Sequence, residues 1–287
     1  MKRSRAIAWV VLLAVIAAVA AFCALRPREP VYEGKRLSEW LRDLDDNTLA
    51  ADSRNRAVGA VLQIGSNCVP TLVELLHSSD SWLKRKLMES VGNQSRIRFH
   101  FTTAQERRGW AIQGIKVLGP AAIPMLIDLL NDKAAMTTAM ICLSQVGPEA
   151  VWPLTRTLTN EAPQVRSAAI VTLGLLRSNG QVAVPALVAR LESDEDNRVR
   201  ASAANALGNI GKDPEVAVPA LVKHLRDPDP TTRAQAVLAL ARFGTEAKAA
   251  LSVIRELQGD ANQFVREAAV KALEEIDAGT AAKTGVK

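Results

Sequence analysis

Residues 199–211 have the sequence VRASAANALGNIG, and residues 216–225 have the sequence VAVPALVKHL. The first stretch contains an arginine followed by an alanine three residues later and a leucine seven residues later. A constant period of about 33 residues between copies of such a pattern predicts stacked structural repeats with a long surface, not one globular core. The pattern begins, at intervals of 34, 33 and 33 residues, at Arg166, Arg200, Arg233 and Arg266.

A second pattern lies between these copies and consists of an apolar pair followed three residues later by leucine. It occurs at Leu187, at Leu221 and, beginning with valine, at Val253. These offsets keep the side chains on one face of a helix, and Pro185 and Pro219 fit its first turn. Each repeat is therefore predicted to be a helix, a short turn and a second helix.

Weaker copies of the first pattern begin upstream at Arg54, Arg108 and Met136. The chain is predicted to contain six helix pairs and a final single helix, residues 264–277. One repeat buries about six anchor side chains at roughly 2 kcal/mol each, but ordering its backbone costs about 1–2 kcal/mol per residue. The repeats must therefore stabilise one another.

The two quoted stretches, with an aspartate between repeats and an arginine at the start of the first helix, resemble HEAT repeats of the bacterial type also found in phycobilin lyases. The resemblance covers residues 51–277 and is strongest in the last three repeats. It implies an all-α fold, a right-handed α-α superhelix of the HEAT-repeat solenoid type, which usually serves as a binding scaffold. Such a fold does not by itself specify a chemistry.

An aspartate lies six residues before three of the repeat arginines. These pairs are Asp194 with Arg200, Asp227 with Arg233 and Asp260 with Arg266, whereas Arg166 has an asparagine at that offset. The pattern predicts a structural ladder of charge-assisted hydrogen bonds through the stack. The alternative is a set of solvated surface pairs that contribute about 0–1 kcal/mol each.

The N-terminal segment predicts the location of the protein. Residues 6–25 carry no charge and would span about 30 Å as a helix, which matches the hydrocarbon core of a bilayer. Lys2, Arg3 and Arg5 precede the segment and favour an N-terminus in the cytoplasm. Residues 1–26 are therefore predicted to be a signal anchor that leaves the repeats exported; the alternative is secretion after cleavage near residues 18–20.

Residues 27–50 are predicted to be a linker and an N-terminal capping helix. Ser38 would cap this helix, and Leu37, Trp40, Leu41 and Leu44 would cover the open face of the first repeat. The solenoid is assigned to residues 51–277, and residues 278–287 are predicted to be a disordered tail.

The spacing between the first two repeats is 54 residues, which indicates an insertion. A helix is predicted at residues 81–92, followed by an irregular segment at residues 93–103. Repeat insertions project as loops, so its aromatic and basic residues are candidates for partner binding. Alternatively, the aromatic rings pack on the solenoid, or the basic residues lie against anionic lipids. The candidates are Arg96, Arg98, Phe99 and Phe101.

The second helices offer another candidate surface. The position after the apolar pair changes from acidic to basic along the stack, and a groove with such a gradient could orient a charged partner. Exposed helix positions are often charged without any such role. The row contains Glu74, Asp128, Arg156, Ala189, Lys223 and Arg255, of which Arg156, Lys223 and Arg255 are candidate partner-binding residues.

Charge and cysteine content give weaker constraints. The formal net charge is +6, and without the three basic leader residues the chain has 33 basic and 30 acidic residues. This excess is too small to predict nucleic-acid binding. Cys68 and Cys142 belong to repeats two layers apart, beyond the reach of a disulfide bond.

None of the three histidines, His77, His100 and His224, precedes a glutamate, so the paired His-Glu motifs of deoxyhypusine hydroxylase-like proteins are absent. The chain also lacks nucleotide-binding and hydrolase motifs. We therefore expect a non-enzymatic protein-interaction scaffold, anchored in a membrane, with no cofactor and an unidentified protein partner. The alternatives are a lyase-like or oxidoreductase-like enzyme with HEAT-like repeats and a purely structural envelope component.

Overall fold

The computed structural model of the protein describes residues 29–92 and 102–284. The predicted membrane-spanning segment, residues 6–25, lies outside these ranges. The same is true of Cys23, of residues 93–101 and of residues 285–287.

The described residues form two short strands and fifteen α-helices. Strands β1 (Val31–Tyr32) and β2 (Lys35–Arg36) pair antiparallel. They are followed by α1 (Leu37–Asp45), then repeat 1 with α2 (Ala51–Ile64) and α3 (Val69–Leu76), α4 (Trp82–Gly92), repeat 2 with α5 (Ala104–Leu118) and α6 (Ile123–Asp128), and repeat 3 with α7 (Met136–Val146) and α8 (Val151–Thr157). The remaining helices are repeat 4 with α9 (Pro163–Leu175) and α10 (Val184–Ser193), repeat 5 with α11 (Asn197–Ile210) and α12 (Pro214–Lys223), repeat 6 with α13 (Pro230–Phe243) and α14 (Leu251–Glu256), and α15 (Gln263–Thr284).

The helices stack in two layers. In the C-terminal half, α9 packs on α11, α11 on α13 and α13 on α15, while each second helix packs on the next repeat. The main hydrophobic core runs between the layers from Leu37 to Ile276, and Trp40, Ala57 and Ala60 form a second, small cluster. The predicted all-α fold of six helix pairs and a terminal helix is confirmed for the described residues.

Small residues bring the first helices of repeats 4–6 close together. A Cβ on Gly208 would lie 2.7 Å from the Cα of Ala239, and a Cβ on Gly174 would lie 3.0 Å from the Cα of Ala206. The first distance is shorter than real side chains show and the second is tighter than most of their contacts, so glycine permits this approach between repeats.

Two described segments, Ala51–Leu76 and Ala104–Asn131, are long and apolar enough to cross a membrane by length and composition alone. Each is one helix pair of the solenoid. Gly65 and Gly119 divide the pairs at φ angles of +57° and +55°, which only glycine adopts readily. The apolar residues of these helices contribute to the solenoid core.

The cap helix α1 begins at Leu37, two residues earlier than a Ser38 cap would place it. The backbone N–H of Arg36 donates to Glu39 Oε2 at 2.8 Å, and the backbone N–H of Ser38 donates to the Glu29 carboxylate. Ser38 therefore does not cap the helix, because two glutamates supply the acceptors that the N-terminus needs.

The apolar face of α1 covers the first repeat. The Trp40 ring packs on Ala57 and Ala60 of α2, and Leu37 and Leu41 are fully buried in the main core. Helix α1 also packs on α5, so it contacts the first helices of repeats 1 and 2.

The terminal helix is longer than the predicted 264–277. Helix α15 continues to Thr284, so residues 278–284, which were predicted to be disordered, are helical. No residue with a positive φ angle interrupts it at the position where Arg177, Gly211 and Gly244 begin the turns of repeats 4–6.

Candidate functional site

Arginine and aspartate side chains connect the repeats of the C-terminal half. Nε of Arg166 donates to Asp194 Oδ2 at 2.8 Å, and Nη2 donates to Oδ1 at 2.6 Å. Nη1 donates in the other direction, to the carbonyl oxygens of Asn160 at 2.9 Å and Glu161 at 3.0 Å. Arg166 thus joins the loop before its own first helix to the loop after its second helix.

Arg200 and Arg233 repeat this geometry. Arg200 binds the Asp227 carboxylate at 2.9 and 3.0 Å, and Arg233 binds the Asp260 carboxylate at 2.9 and 2.8 Å. The offset of six residues seen in the sequence connects each arginine to the aspartate's carbonyl oxygen, as in Arg200 to Asp194 at 3.0 Å. The carboxylate instead accepts from the arginine that lies 27 or 28 residues earlier.

These contacts form a continuous chain that we call the ladder. Its members, in order, are Arg166, Asp194, Arg200, Asp227, Arg233, Asp260 and Arg266.

Burial distinguishes the ladder from solvated surface pairs. The side chains of Asp194, Asp227 and Asp260 are only 1%, 4% and 8% exposed. The hydrogen bonds to Asp194 raise the pKa of the Arg166 guanidinium. Those from Arg233 hold the pKa of the Asp260 carboxyl below its ordinary value. Each shift favours the ionised form of the group in its own Arg–Asp pair, as expected for bidentate, charge-assisted hydrogen bonds.

The ladder stops at repeat 3. Met136 occupies the arginine position of this repeat, and Asn160 occupies the aspartate position. The two changes are consistent with each other, because a buried carboxylate without its arginine would be destabilising, whereas a neutral amide is tolerated.

Repeats 1 and 2 are joined by other polar contacts. Asp80 accepts hydrogen bonds from Lys84 Nζ at 2.7 Å, from the backbone N–H of Ala104 at 2.7 Å and from Arg107 Nη2 at 3.3 Å. These donors, Lys84 first, lower the pKa of Asp80 to about 2. Asp80 therefore fixes the start of α4 against the start of α5.

His77 and Asp132 form a second contact between these repeats. His77 Nε2 lies 2.6 Å from Asp132 Oδ2, and Nδ1 lies 2.8 Å from the carbonyl oxygen of Val73. Both ring nitrogens face acceptors, which suits the doubly protonated ring. The Asp132 hydrogen bond raises the pKa of His77, and His77 in turn lowers the pKa of Asp132.

The charged row of the second helices lies on the solenoid surface. All six of its positions, from Glu74 to Arg255, are exposed. Lys223 is paired across repeats, with Nζ 3.3 Å from Glu192 Oε1. The guanidinium groups of Arg156 and Arg255 have no acceptor among the described residues. The basic end of the gradient is therefore weakened at Lys223 and depends on Arg156 and Arg255.

A groove of about 610 Å³ lies beside Arg156, between the second helices of repeats 2 and 3. Trp152, one helical turn before Arg156, is 67% exposed. The groove thus combines an aliphatic floor with a guanidinium that has no acceptor among the described residues, and the exposed Trp152 lies on the same helix as this guanidinium. Its lining includes Pro120, Ile123, Pro124, Ile127, Pro153, Arg156 and Thr157.

A neighbouring groove of about 430 Å³ lies between the second helices of repeats 1 and 2. Its apolar lining includes Val73 and Met125, and its polar edge carries Asp128 and the His77–Asp132 pair. The second-helix surface therefore changes from acidic at repeats 1 and 2 to basic at repeat 3.

The sequence-based candidates fall into two groups. Arg156, Lys223 and Arg255 share the second-helix surface, although only Arg156 borders the groove. Sequence reasoning overlooked Trp152, which stands where four other second helices have an exposed proline. Arg96, Arg98, Phe99 and Phe101 of the insertion lie outside the described residues.

In the described part of the chain, no group of three or more His, Cys, Asp or Glu side chains is arranged to hold a metal ion. Cys68 and Cys142 are buried free thiols, and burial raises the pKa of each to about 11. His224 is buried with Nδ1 2.8 Å from the carbonyl oxygen of Ala220, so this histidine has a structural contact.

Stacked helix pairs, a buried Arg–Asp ladder and an extended second-helix surface define an α-solenoid. The family model for HEAT repeats matches residues 137–208, 152–225 and 218–284, which together exceed half of the chain. The protein belongs to the HEAT-repeat family. The predicted resemblance is confirmed from repeat 3 onward, and repeats 1 and 2 share the helix-pair form.

No curated protein matches the sequence. Among solved structures, Kap121p has a TM-score of 0.52 at 14% identity, over 84% of this chain and 29% of its own. A chain from the CpcE–CpcF complex of phycocyanin lyase from Nostoc sp. PCC7120 has a TM-score of 0.49 at 25% identity, over 53% of this chain and 98% of its own.

Human deoxyhypusine hydroxylase has a TM-score of 0.38 at 19% identity, over 84% of this chain and 96% of its own. The Kap121p similarity supports the helical solenoid fold. The other two proteins are named as enzymes.

Proposed function

We propose that this protein is a non-enzymatic scaffold that binds a segment of a partner protein in the groove between repeats 2 and 3. The observation that carries this proposal is the exposed, unpaired Arg156 guanidinium at the edge of an aliphatic groove. HEAT-repeat solenoids commonly present such extended surfaces to other proteins.

The lining of the groove suggests the chemistry of the partner. Proline and isoleucine side chains favour an apolar residue in the floor, and the Arg156 fork favours a carboxylate. Trp152 adds a large, rigid contact surface of the kind found at binding hot spots. We therefore propose a partner segment that carries an acidic side chain next to aliphatic ones.

Affinity capture tests this proposal with two matched variants of the full chain. Arg156→Glu should reduce recovery of the partner at least tenfold, because it reverses the unpaired charge. Arg255→Glu makes the same charge change at the equivalent position of repeat 6, away from the groove, and should leave recovery within twofold. Equal recovery by the wild type and Arg156→Glu would contradict the groove as the binding site.

We further propose that the repeats lie outside the cytoplasmic membrane, held by the N-terminal apolar segment. The uncharged run at residues 6–25 and the basic residues before it support this orientation. Protease added to intact spheroplasts should digest the repeats and leave cytoplasmic proteins whole. Full protection of the repeats until lysis would contradict the export.

Non-enzymatic binding also has a direct test. The purified full chain should contain no stoichiometric metal by elemental analysis and no cofactor absorbance above 300 nm. Either finding would favour an enzyme over a scaffold.

A further inference from the structure

Arg266 binds its preceding loop as the other ladder arginines do, but its Nε and Nη2 atoms have no acceptor among the described residues. Nη1 donates to the carbonyl oxygens of Asp260 at 2.8 Å and Ala261 at 3.0 Å, as Arg166 does with its own preceding loop. In Arg166, Arg200 and Arg233, Nε and Nη2 hold an aspartate carboxylate. For Arg266, the described residues offer no acceptor to these two atoms.

An apolar neighbour shares this open face. Val270, one turn after Arg266, is 44% exposed. The equivalent residues of repeats 4–6, which are Ile170, Ala204 and Val237, are fully buried. Gly174 and Gly208, one turn further along α9 and α11, approach the next first helix, so this side of each first helix faces the next repeat. Helix α15 continues where the earlier first helices turn, so no second helix covers Val270 in the described chain.

The sequence of α15 also disfavours one kind of partner at the surface around Arg266 and Val270, which is another first helix. In repeats 4 and 5 the next first helix approaches at Gly174 and Gly208. The equivalent position of α15 is the exposed Glu274. A charged side chain there prevents another first helix from packing equally closely, which disfavours the head-to-tail addition of a second solenoid.

We propose that Arg266 and Val270 form a docking site for an amphipathic helix of a partner protein that ends in an aspartate or glutamate. The three internal examples define the ligand, because each has a second helix with a leucine two or three residues before the ladder carboxylate. These are Leu191 before Asp194, Leu225 before Asp227 and Leu257 before Asp260. A preoriented guanidinium fork favours a bidentate carboxylate, and the exposed valine favours an apolar helix face.

This end surface is separate from the groove at Arg156, so it can be tested independently of the proposed function. The probe is a fluorescein-labelled peptide with the sequence of residues 247–262, which contains the last second helix and its aspartate. Fluorescence anisotropy with the full chain in detergent micelles should show saturable binding. A peptide carrying Asp260→Asn should bind at least tenfold more weakly.

Variants of the protein locate the binding site. Arg266→Gln should weaken peptide binding at least tenfold. Lys271→Gln removes the same charge from the same helix but lies in the groove against α13, and it should change binding less than twofold. Because Arg266→Gln also loses two internal hydrogen bonds, Val270→Asp serves as a second variant, and it should abolish binding while keeping them.

Three results would overturn the proposal. The first is the absence of saturation up to about 1 mM peptide, which corresponds to about 4 kcal/mol of binding free energy. The second is equal peptide binding by the Arg266→Gln and Lys271→Gln proteins. The third is self-association of the chain through this end without peptide binding.

Discussion

Repeats 4–6 and repeats 1–3 share one helix-pair form but are held together differently. In repeats 4–6 the ladder crosses every junction with buried bidentate contacts. In repeat 3, Met136 and Asn160 occupy the arginine and aspartate positions of the ladder. Repeats 1 and 2 are joined instead by more exposed pairs such as His77–Asp132. Grooves open between the second helices of this half.

The difference indicates that repeats 4–6 mainly stabilise the solenoid, whereas repeats 1–3 offer surfaces for binding. Identical contacts at each junction favour a rigid stack, because every repeat stabilises its neighbours in the same way. Where repeats 1–3 depart from the pattern, grooves open between their second helices, one of them beside Arg156. The groove of the regular half instead lies between α13 and α15. The irregular half is therefore where we place the partner site, and the regular half supports it.

The largest expected effect is the loss of one ladder carboxylate. Asp227→Asn leaves the mostly buried Arg200 without an anionic partner and should lower the free energy of unfolding by about 2–4 kcal/mol. Asp128→Asn, at an exposed second-helix position in repeat 2, should change it by less than about 0.5 kcal/mol. Urea unfolding followed by circular dichroism measures both. Similar losses in the two variants would remove the distinction between the halves.

Glycine substitutions compare the packing of the two halves. Gly208→Ala places a methyl group 2.7 Å from the Ala239 Cα and should destabilise by about 1–3 kcal/mol. Gly59→Ala, in the interior of α2, has open space around it and should stabilise by about 0.5–1 kcal/mol, because alanine has the higher helix propensity. The midpoints of thermal unfolding should move in opposite directions. A stable Gly208→Ala protein would show that the repeats do not pack this tightly.

Introducing an arginine–aspartate pair into repeat 3 would extend the ladder into the N-terminal half and test the comparison. Met136→Arg and Asn160→Asp should each destabilise when made alone, because each introduces an unpartnered charge. Together they should recover the loss, with a favourable coupling of about 1–2 kcal/mol in a double-mutant cycle. Additive effects would mean that the two positions do not meet, and that the ladder could not continue into this half.

The smallest expected effect concerns pH. The pKa of His77 is raised above its ordinary value of 6.5 by Asp132, whose own pKa is lowered. The contribution of His77 is complete below about pH 6.5 and is lost as pH rises through its raised pKa, so the junction of repeats 1 and 2 should loosen once the pH exceeds that pKa. In the ladder, the pKa of Arg166 is raised and that of Asp260 is lowered, so neither group titrates in this range.

Limited proteolysis at pH 6 and pH 8.5 measures that loosening. Cleavage near residue 77 should increase at the higher pH, whereas the ladder loops should be unaffected. The His77→Gln protein should show no such pH dependence. An equal response at the ladder loops would indicate a general effect of pH on the whole molecule.

Much of the fold follows from the sequence, because a fixed period constrains every repeat at once. The spacing of Arg166, Arg200, Arg233 and Arg266 predicts the helix pairs and the residues of the ladder. It does not predict which aspartate oxygen each arginine binds, since this depends on how the loops of adjacent repeats align in space.

Other features depend on contacts that no local pattern specifies. Ser38 has the chemistry of a cap, but Glu29 and Glu39 compete for the same N–H groups. The groove beside Arg156 depends on the separation of α6 and α8. Trp152 could have been identified from the sequence, because it stands where four other second helices have a proline.

Hydrogen exchange of backbone amides tests the proposed difference between the halves most directly. The amides of α9, α11 and α13 should exchange more slowly than those of α2, α5 and α7, because the ladder and the close glycine contacts hold the C-terminal repeats together. Equal protection in the two sets of helices, or slower exchange in repeats 1–3, would contradict this account.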